Sequence, residues 1–247
     1  MILANHGIIA SSGGVTSTLN ESLYSVYNAE NNANDSFGSN NGTPVGGLTY
    51  TTGKIGQAFN FNGTNSYVNI GDNLDLGLSS WSYSMWFNCS NIYTDEAIFS
   101  KSIAAAQTGR LWLQFIQSGG QGRLRWNFDA LSGVNQINCE SVTVFNNNTW
   151  YHVTVILDRS SNMKMYINGV PETLSIVSGT NNLTPYALTN YNTTNPFRIG
   201  AYTGADNTSA INFFTGKIDA FNVWNRVLTA TEATQLYNSG NGKQYPF

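Results

Sequence analysis

Cleaving a glycosidic bond takes two carboxylates held about 5–10 Å apart. On one strand, that means acidic residues two or four positions apart on the same face. This 247-residue chain has no E-x-D and no E-x-x-x-E on a strand-like run. Asp72 and Asp75 lie in a glycine-flanked turn, and Asp95 and Glu96 are adjacent, so a strand would send them to opposite faces. The only histidines are His6 and His152, and no Cys–His pairing is readable. No nucleophile elbow is present.

Two non-catalytic chemistries remain. Calcium takes six to eight oxygens and mixes carboxylates with amide and backbone carbonyls. The loop from Asn32 to Asn41 supplies Asp35, Asn40 and Asn41, with glycines that let the backbone curl inward, and Asp219 is a further acid on a late strand. The alternative is local: Asp35 closes its own loop as an Asx-turn, and Asp219 pairs with a nearby arginine such as Arg226. Sugar recognition needs an aromatic platform beside hydroxyl-binding groups. Trp112 and Trp126 lie on central strand candidates, and Tyr202 and Asp206 lie in the loop after F-R-I-G at 197–200. Most of the six tryptophans must nevertheless fill a core.

Composition narrows the classes. Charged residues make up only 10%, against roughly 25% in an average domain, and Asn, Ser, Thr and Gly take their place. Net charge is −3 with no basic run, which excludes nucleic acid as a partner because phosphate binding needs clustered Lys or Arg. Wholly apolar runs last only a few residues, too short for a membrane span. The start, MILANHGIIASSGG, lacks the basic and apolar regions of a secretory signal. Cys89 and Cys139 are expected to be reduced core residues.

The positioning elements are strands. Trp81–Asn88 alternates, with Trp81, Tyr83, Met85 and Phe87 on one face. Asn62-Gly63 and Asn168-Gly169 are hairpin turn signals. Further strands are expected at Leu23–Tyr27, Ile98–Lys101, Leu111–Gln117, Leu124–Asp129, Ser141–Phe145, Trp150–Leu157 and Met163–Ile167. The stretch from Thr215 to Tyr237 is a strand running into a short helix. Ile218, Ala220, Asn222 and Trp224 are placed on one face, Asp219, Phe221 and Val223 on the other. Thr229 and Glu232 have the spacing of a capping box.

Several of these stretches carry a resemblance. G-K-I-D at 216–219, with W-N-R-V-L-T at 224–229 and Glu232, is similar to the closing motif of laminin-G-like domains of the concanavalin A-like lectin/glucanase superfamily. So are Asn32, Ala33 and Asp35 with Gly38, Asn41 and Gly42, G-K-x-G-x-A at 53–58, Trp86, the W-Y-H-V hairpin with Y-I-N-G at 166–169, and F-R-I-G. Phe37 departs from the pattern, standing where a small residue is usual. The resemblance covers about Leu23 to Tyr237. It implies an all-β fold, a two-sheet antiparallel jelly-roll sandwich with one short C-terminal helix. Residues 21–238 are expected to form that domain, between an N-terminal arm at 1–20 and a tail at 239–247. It also implies a structural His152, and a structural calcium on Asp35 with loop carbonyls and Asp219.

The function expected is non-catalytic binding or adhesion, with glycans as partners through Trp112, Trp126, Tyr202 and Asp206. Stand-alone chains of this kind resemble tailed-phage virion proteins. That places the protein on a virion surface or outside the cell, with other virion proteins docked through the arm and a homo-oligomer open. A free carbohydrate-binding module is the alternative, and a glycan hydrolase the third class.

Overall fold

Short alternating runs punctuated by Gly and Asn make half-buried strands rather than helices. A computed structural model describes residues 18–92, 94–102, 109–131, 135–204 and 208–247. The strands are β1 (Leu23–Tyr27), β2 (Thr43–Val45), β3 (Thr49–Thr52), β4 (Gln57–Asn62), β5 (Tyr67–Gly71) and β6 (Trp81–Cys89). Next come β7 (Glu96–Lys101), β8 (Leu111–Ser118), β9 (Gln121–Leu131), β10 (Asn135–Ser141), β11 (Trp150–Leu157) and β12 (Met163–Ile167). The last are β13 (Val170–Pro171), β14 (Leu174–Ser178), β15 (Phe197–Ile199), β16 (Tyr202–Thr203), β17 (Ala210–Ile211) and β18 (Thr215–Trp224). One helix, α1 (Ala230–Tyr237), follows.

Sheet one has the order β13-β12-β11-β6-β18-β4-β3, with β1 also paired to β18. Sheet two has the order β14-β10-β9-β8-β7-β15-β5-β2. Every pairing is antiparallel, and the two sheets form the expected jelly-roll sandwich. No helix among the described residues is long and apolar enough to cross a membrane.

The inner faces meet in an aromatic core. Tyr83 and Phe221 of sheet one pack on Phe99 of sheet two, with ring centroids 4.8 and 5.5 Å apart, and Phe99 stacks on Phe197 at 5.7 Å. Such pairs contribute about 0.5–1.5 kcal/mol each beyond their buried area. Cys89 and Cys139 are buried free thiols.

A second apolar cluster lies outside sheet one. It joins Leu19, Leu23, Val26, Ile156, Trp224, Leu228 and Leu236, with Tyr245 and Phe247 against it. The Trp224 indole donates to the Leu19 carbonyl at 2.7 Å, and Phe247 stacks on the Trp224 ring at 5.9 Å. Thr18, Leu19 and the C-terminal tail are therefore tied into the domain. The rest of the expected arm, with Ile2, Leu3, His6, Ile8 and Ile9, lies outside the described residues.

The expected faces of the closing strand are corrected by a bulge. Ala220 takes a φ of 47°, and the β18–β6 register shifts between Asp219 and Asn222. An extra residue reverses the alternation. Ile218, Phe221 and Val223 therefore share the core, while Trp224 turns outward to the second cluster. The capping box forms as expected, with Thr229 and Glu232 exchanging bonds. Glu232 does more than cap. Its Oε1 accepts from Arg226 at 2.7 Å and from the Thr18 hydroxyl at 2.7 Å. Arg226 thus pairs with Glu232, not with Asp219.

His152 is buried on the outer side of sheet one, bonded to the Ser84 hydroxyl at 2.8 Å and packed on Trp86 at 5.2 Å. Burial disfavours its charged form and pushes its pKa down from 6.5 to about 3. An unfolded chain takes up the proton that the folded chain refuses, so stability falls as pH drops below 6.5 toward 3. Melting curves across that window should show this slope in the native chain and a flatter one in His152→Gln.

Candidate functional site

The face of sheet two that points away from the core is built by period-two alternation on three adjacent strands. On β9 the pattern R-x-R-x-N-x-D turns Arg123, Arg125, Asn127 and Asp129 outward while Leu124, Trp126 and Phe128 face the core. Trp112 and Gln114 of β8 and Gln136, Asn138 and Glu140 of β10 share the outward face. Register lines these residues up across the sheet. Gln114, Arg125 and Glu140 form one transverse row. Arg198, Ser100, Trp112, Asn127 and Asn138 form the next. Asp129 and Gln136 form a third, to which Arg110 is joined through the Asp129 backbone.

Two arginines on this face pair with carboxylates, while Arg123 and Arg198 donate to backbone carbonyls. The Arg110 guanidinium donates through Nε to Asp129 Oδ2 at 2.6 Å and through a second nitrogen to the same oxygen. Burial raises the Asp129 carboxyl above its ordinary range, and Arg110 offsets part of that rise. Arg125 Nε donates to Glu140 Oε1 at 3.0 Å. The middle row runs from Arg198, whose guanidinium donates to the carbonyls of Ser209 and Thr208 at 2.7 Å each, to the amides of Asn127 and Asn138, and Arg198, Ser100 and Asn127 are buried. Asn127 Nδ2 donates to the Trp112 carbonyl at 3.2 Å. Asn138 is 9% exposed, its Nδ2 donates to Gln136, and its Oδ1 has no hydrogen-bond partner. A buried acceptor without a donor is costly unless something fills the position.

The paired carboxylates are not spaced for hydrolysis. Gln136 stands opposite Asp129 and Glu140 lies four residues further on, roughly 13 Å along the strand. Each also sits against an arginine.

The proposed sugar residues separate. Trp112 is on this face but only 7% exposed, with Arg110 5.6 Å over its ring and Tyr202 packed edge-on at 5.5 Å. It is a supporting wall, not an open platform; the half-buried Tyr202 is the more accessible ring. Trp126 is corrected outright. It is fully buried in the core, 6.1 Å from Tyr83 and 5.7 Å from Phe99, because outward Arg125 and Asn127 force it inward. Asp206 lies outside the described residues. Arg110, Arg125, Asn127, Asp129, Asn138 and Glu140 were not anticipated, although the alternation at 123–129 and 136–140 carries the signal.

The proposed calcium residues do not converge. Asp35 Oδ1 accepts from the amides of Val26 at 2.9 Å, Phe37 at 3.1 Å and Gly38 at 2.9 Å, and Oδ2 from Asn40 at 3.2 Å. A cation would meet N–H groups pointing at it. Gly38 is required here, since a Cβ would come within 2.7 Å of Asp35 Oδ2. Asn41 Oδ1 accepts from the Asp35 amide at 3.0 Å, and Asn40 Nδ2 donates to Ser25 at 2.8 Å. Asp35, Asn40 and Asn41 thus close a loop, and do not fit a metal. Asp219 is elsewhere, fully buried, with Oδ2 accepting from the amides of Lys54 and Ile55 at 2.8 Å each. Its Oδ1 has no hydrogen-bond partner. Burial pushes its pKa up to about 7, three backbone amides oppose this, and the charge of Glu30 adds to the rise. No group of three or more His, Cys, Asp or Glu among the described residues is placed to hold a metal.

Domain 4 of AbnA, a GH43 extracellular arabinanase from Geobacillus stearothermophilus solved with arabinotriose, is similar in structure. Its TM-score is 0.63 at 21% identity over 86% of this chain and 97% of that one. The binding domain of Paraclostridial Mosquitocidal Protein 1 has a TM-score of 0.67 at 17% identity, covering 90% of this chain and 53% of that one. The binding domain of botulinum neurotoxin DC, solved with SialylT, has a TM-score of 0.64 at 18% identity, covering 90% and 52%. This chain thus spans about half the length of the two toxin chains. At these identities the likeness concerns the fold. No curated protein matches in sequence. The laminin-G family model described as the concanavalin A-like lectin/glucanases superfamily matches residues 62–234. With the sandwich, the closing motif and that match together, the chain belongs to the laminin-G-like branch of the concanavalin A-like lectin/glucanase superfamily.

Proposed function

We propose that this protein is a non-catalytic carbohydrate-binding protein, with the outer face of sheet two as its sugar-binding surface. The observation that carries this is the three-strand polar face, in which Asn138 Oδ1 waits without a donor. The Arg110–Asp129 and Arg125–Glu140 pairs flank the amides of Asn127 and Asn138, and the Arg198 guanidinium is held by backbone carbonyls, an arrangement suited to hydroxyl groups. Tyr202 supplies an aromatic edge. The arabinotriose complex of the arabinanase domain supports a sugar ligand for this fold. Charge pairing and the wide carboxylate spacing favour binding over hydrolysis.

Glycan-array screening followed by calorimetry on the best oligosaccharide tests this. Asn138→Ala should weaken binding about three- to tenfold, the equivalent of one hydrogen bond, with an unchanged melting temperature. An array blank across neutral and acidic glycans would remove the sugar-binding reading.

The sequence resemblance implies a structural calcium on Asp35 with loop carbonyls and Asp219; with the Asp35 loop filled by its own amides it is proposed at Asp219, where Oδ2 is likewise taken by two amides and Oδ1 is the open oxygen. Support comes from the unpartnered Oδ1 and the nearby Glu30 charge. Calcium added to chelator-treated protein should raise the melting temperature of the native chain and leave Asp219→Asn unmoved. Equal melting with and without calcium in the native chain contradicts a bound ion.

The virion-surface setting is proposed from sequence resemblance, with residues 1–16 as the docking segment. Thr18 is tied to Glu232 and Arg226, so deleting 1–16 should leave melting unchanged while abolishing incorporation into particles. Normal incorporation of that truncation contradicts the docking role.

A further inference from the structure

Lysine is almost never fully buried unless its charge is met. Lys101 is the one fully buried lysine among the described residues. It ends β7 on the core side, opposite Phe197 of β15 and Leu111 of β8, both members of the core. Its Nζ lies 3.4 Å from Asp72 Oδ1 and 3.2 Å from Asp75 Oδ1. It donates to the carbonyls of Asn73 at 2.7 Å and Asn195 at 2.9 Å. Leu74, between the two aspartates, is itself part of the core.

Asn195 is unusual in a complementary way. It is 1% exposed, and neither its Oδ1 nor its Nδ2 has a hydrogen-bond partner. Its backbone is satisfied, with the N–H donating to the Thr193 hydroxyl at 3.3 Å and the carbonyl accepting from Lys101. A buried carboxamide with both ends unpaired is less stable than an apolar side chain of the same shape, so packing alone does not call for asparagine here. The residue stands two before Phe197, and the pairing of β15 with β7 fixes it beside Lys101. A buried amine, an unpaired carboxamide and two carboxylates at ion-pair distance from the amine are thus held together in apolar surroundings. Lys101 and Asn195 are 94 residues apart in the chain.

We propose that Lys101 and Asn195 join in an isopeptide bond formed within the folded chain. The amine already touches the Asn195 carbonyl, and Asn195 Cγ is three bonds from that carbonyl carbon, so one rotamer step brings amine and carboxamide together. Asp72 or Asp75 takes a proton from the ammonium, and the free amine attacks Cγ. The Nζ–Cγ bond forms and the Cγ–Nδ2 bond breaks. Nζ gives up two protons in all, carried by the carboxylates to Nδ2, which leaves as an ammonium ion. A lysine ammonium and a carboxamide become a secondary amide and ammonium, and no oxidant or co-reactant is consumed. The fold holds the groups in place, which removes the entropy loss of bringing two free reactants together. Burial keeps water from competing with the amine. The bond ties the end of β7 to the start of β15, beside Ser100 and Arg198, and closes a long loop of the unfolded chain. It does not depend on the sugar-binding reading.

Intact-mass spectrometry of the full chain, purified folded and then denatured, tests the bond. The native chain should fall short of its sequence mass by one ammonia. A tryptic digest should leave Lys101 uncut and yield a branched peptide linking the segments around residues 101 and 195. Lys101→Arg and Asn195→Ala should each keep the full mass of their own sequences. Ammonia lost at another asparagine, as by cyclisation at an Asn-Gly pair, leaves no branched peptide. A native chain at its full sequence mass, a mass loss without the branched peptide, or the same loss persisting in Asn195→Ala overturns the proposal.

Discussion

The packing of Trp126 between Tyr83 and Phe99 fixes the register of sheet two. Its ring fills the core, so Arg125 and Asn127 must point the other way. A one-residue slip would bury two polar side chains and expose the indole. Because β8 pairs with β9 in continuous register, and β10 does so from Gln136 to Glu140, their own alternation is fixed with it. The transverse rows of polar groups on the outer face are thus a consequence of how the core packs. The chemistry of the face comes from what fills those outward positions: amides in the middle, with arginine–carboxylate pairs beside them.

Sheet one is organised differently. Its outer face is covered by the chain ends and α1, and its central strand is bent by the bulge at Ala220. The bulge lets β18 serve two cores, sending Phe221 and Val223 into one and Trp224 into the other. Asp219 is buried beside it, held by two amides of the Lys54–Ile55 turn. Arg226 and Glu232 then lock the start of α1 to Thr18, so both ends of the domain converge on one ion pair. This leaves sheet two as the sheet whose outer side carries polar rows, with Ser100, Asn127, Asp129 and Arg198 buried within them.

The fold was legible in the sequence because hairpin turns, strand alternation and the capping box are local signals. Trp81–Asn88, the Asn168-Gly169 hairpin and Thr229 with Glu232 took their expected places, whereas Asn62-Gly63 carries the chain from β4 of sheet one to β5 of sheet two and closes no hairpin. The bulge was not legible, since nothing about Ala220 marks it as left-handed. The site was only partly legible. Aromatic residue type singled out Trp112 and Trp126 equally, yet adjacent strands place one on the outer face and one in the core. The alternation R-x-R-x-N-x-D would have separated them. Asp35 was singled out for its oxygens, but a carboxylate can as readily gather backbone amides, and its four donors come from the folded loop rather than from any spacing. Asn138 owes its importance to being buried with an unmet acceptor, a property that only the packed sheet creates.

The central claim is that sugar binds on the outer face of sheet two. Chemical-shift mapping with an oligosaccharide from the array tests it most directly. The account predicts that the perturbed signals are the side-chain amides of Gln114, Asn127 and Asn138 and the backbone of residues 110–114 and 123–129. Perturbations confined to the Asp35 loop, the second apolar cluster or α1, with those amides unmoved, would contradict it.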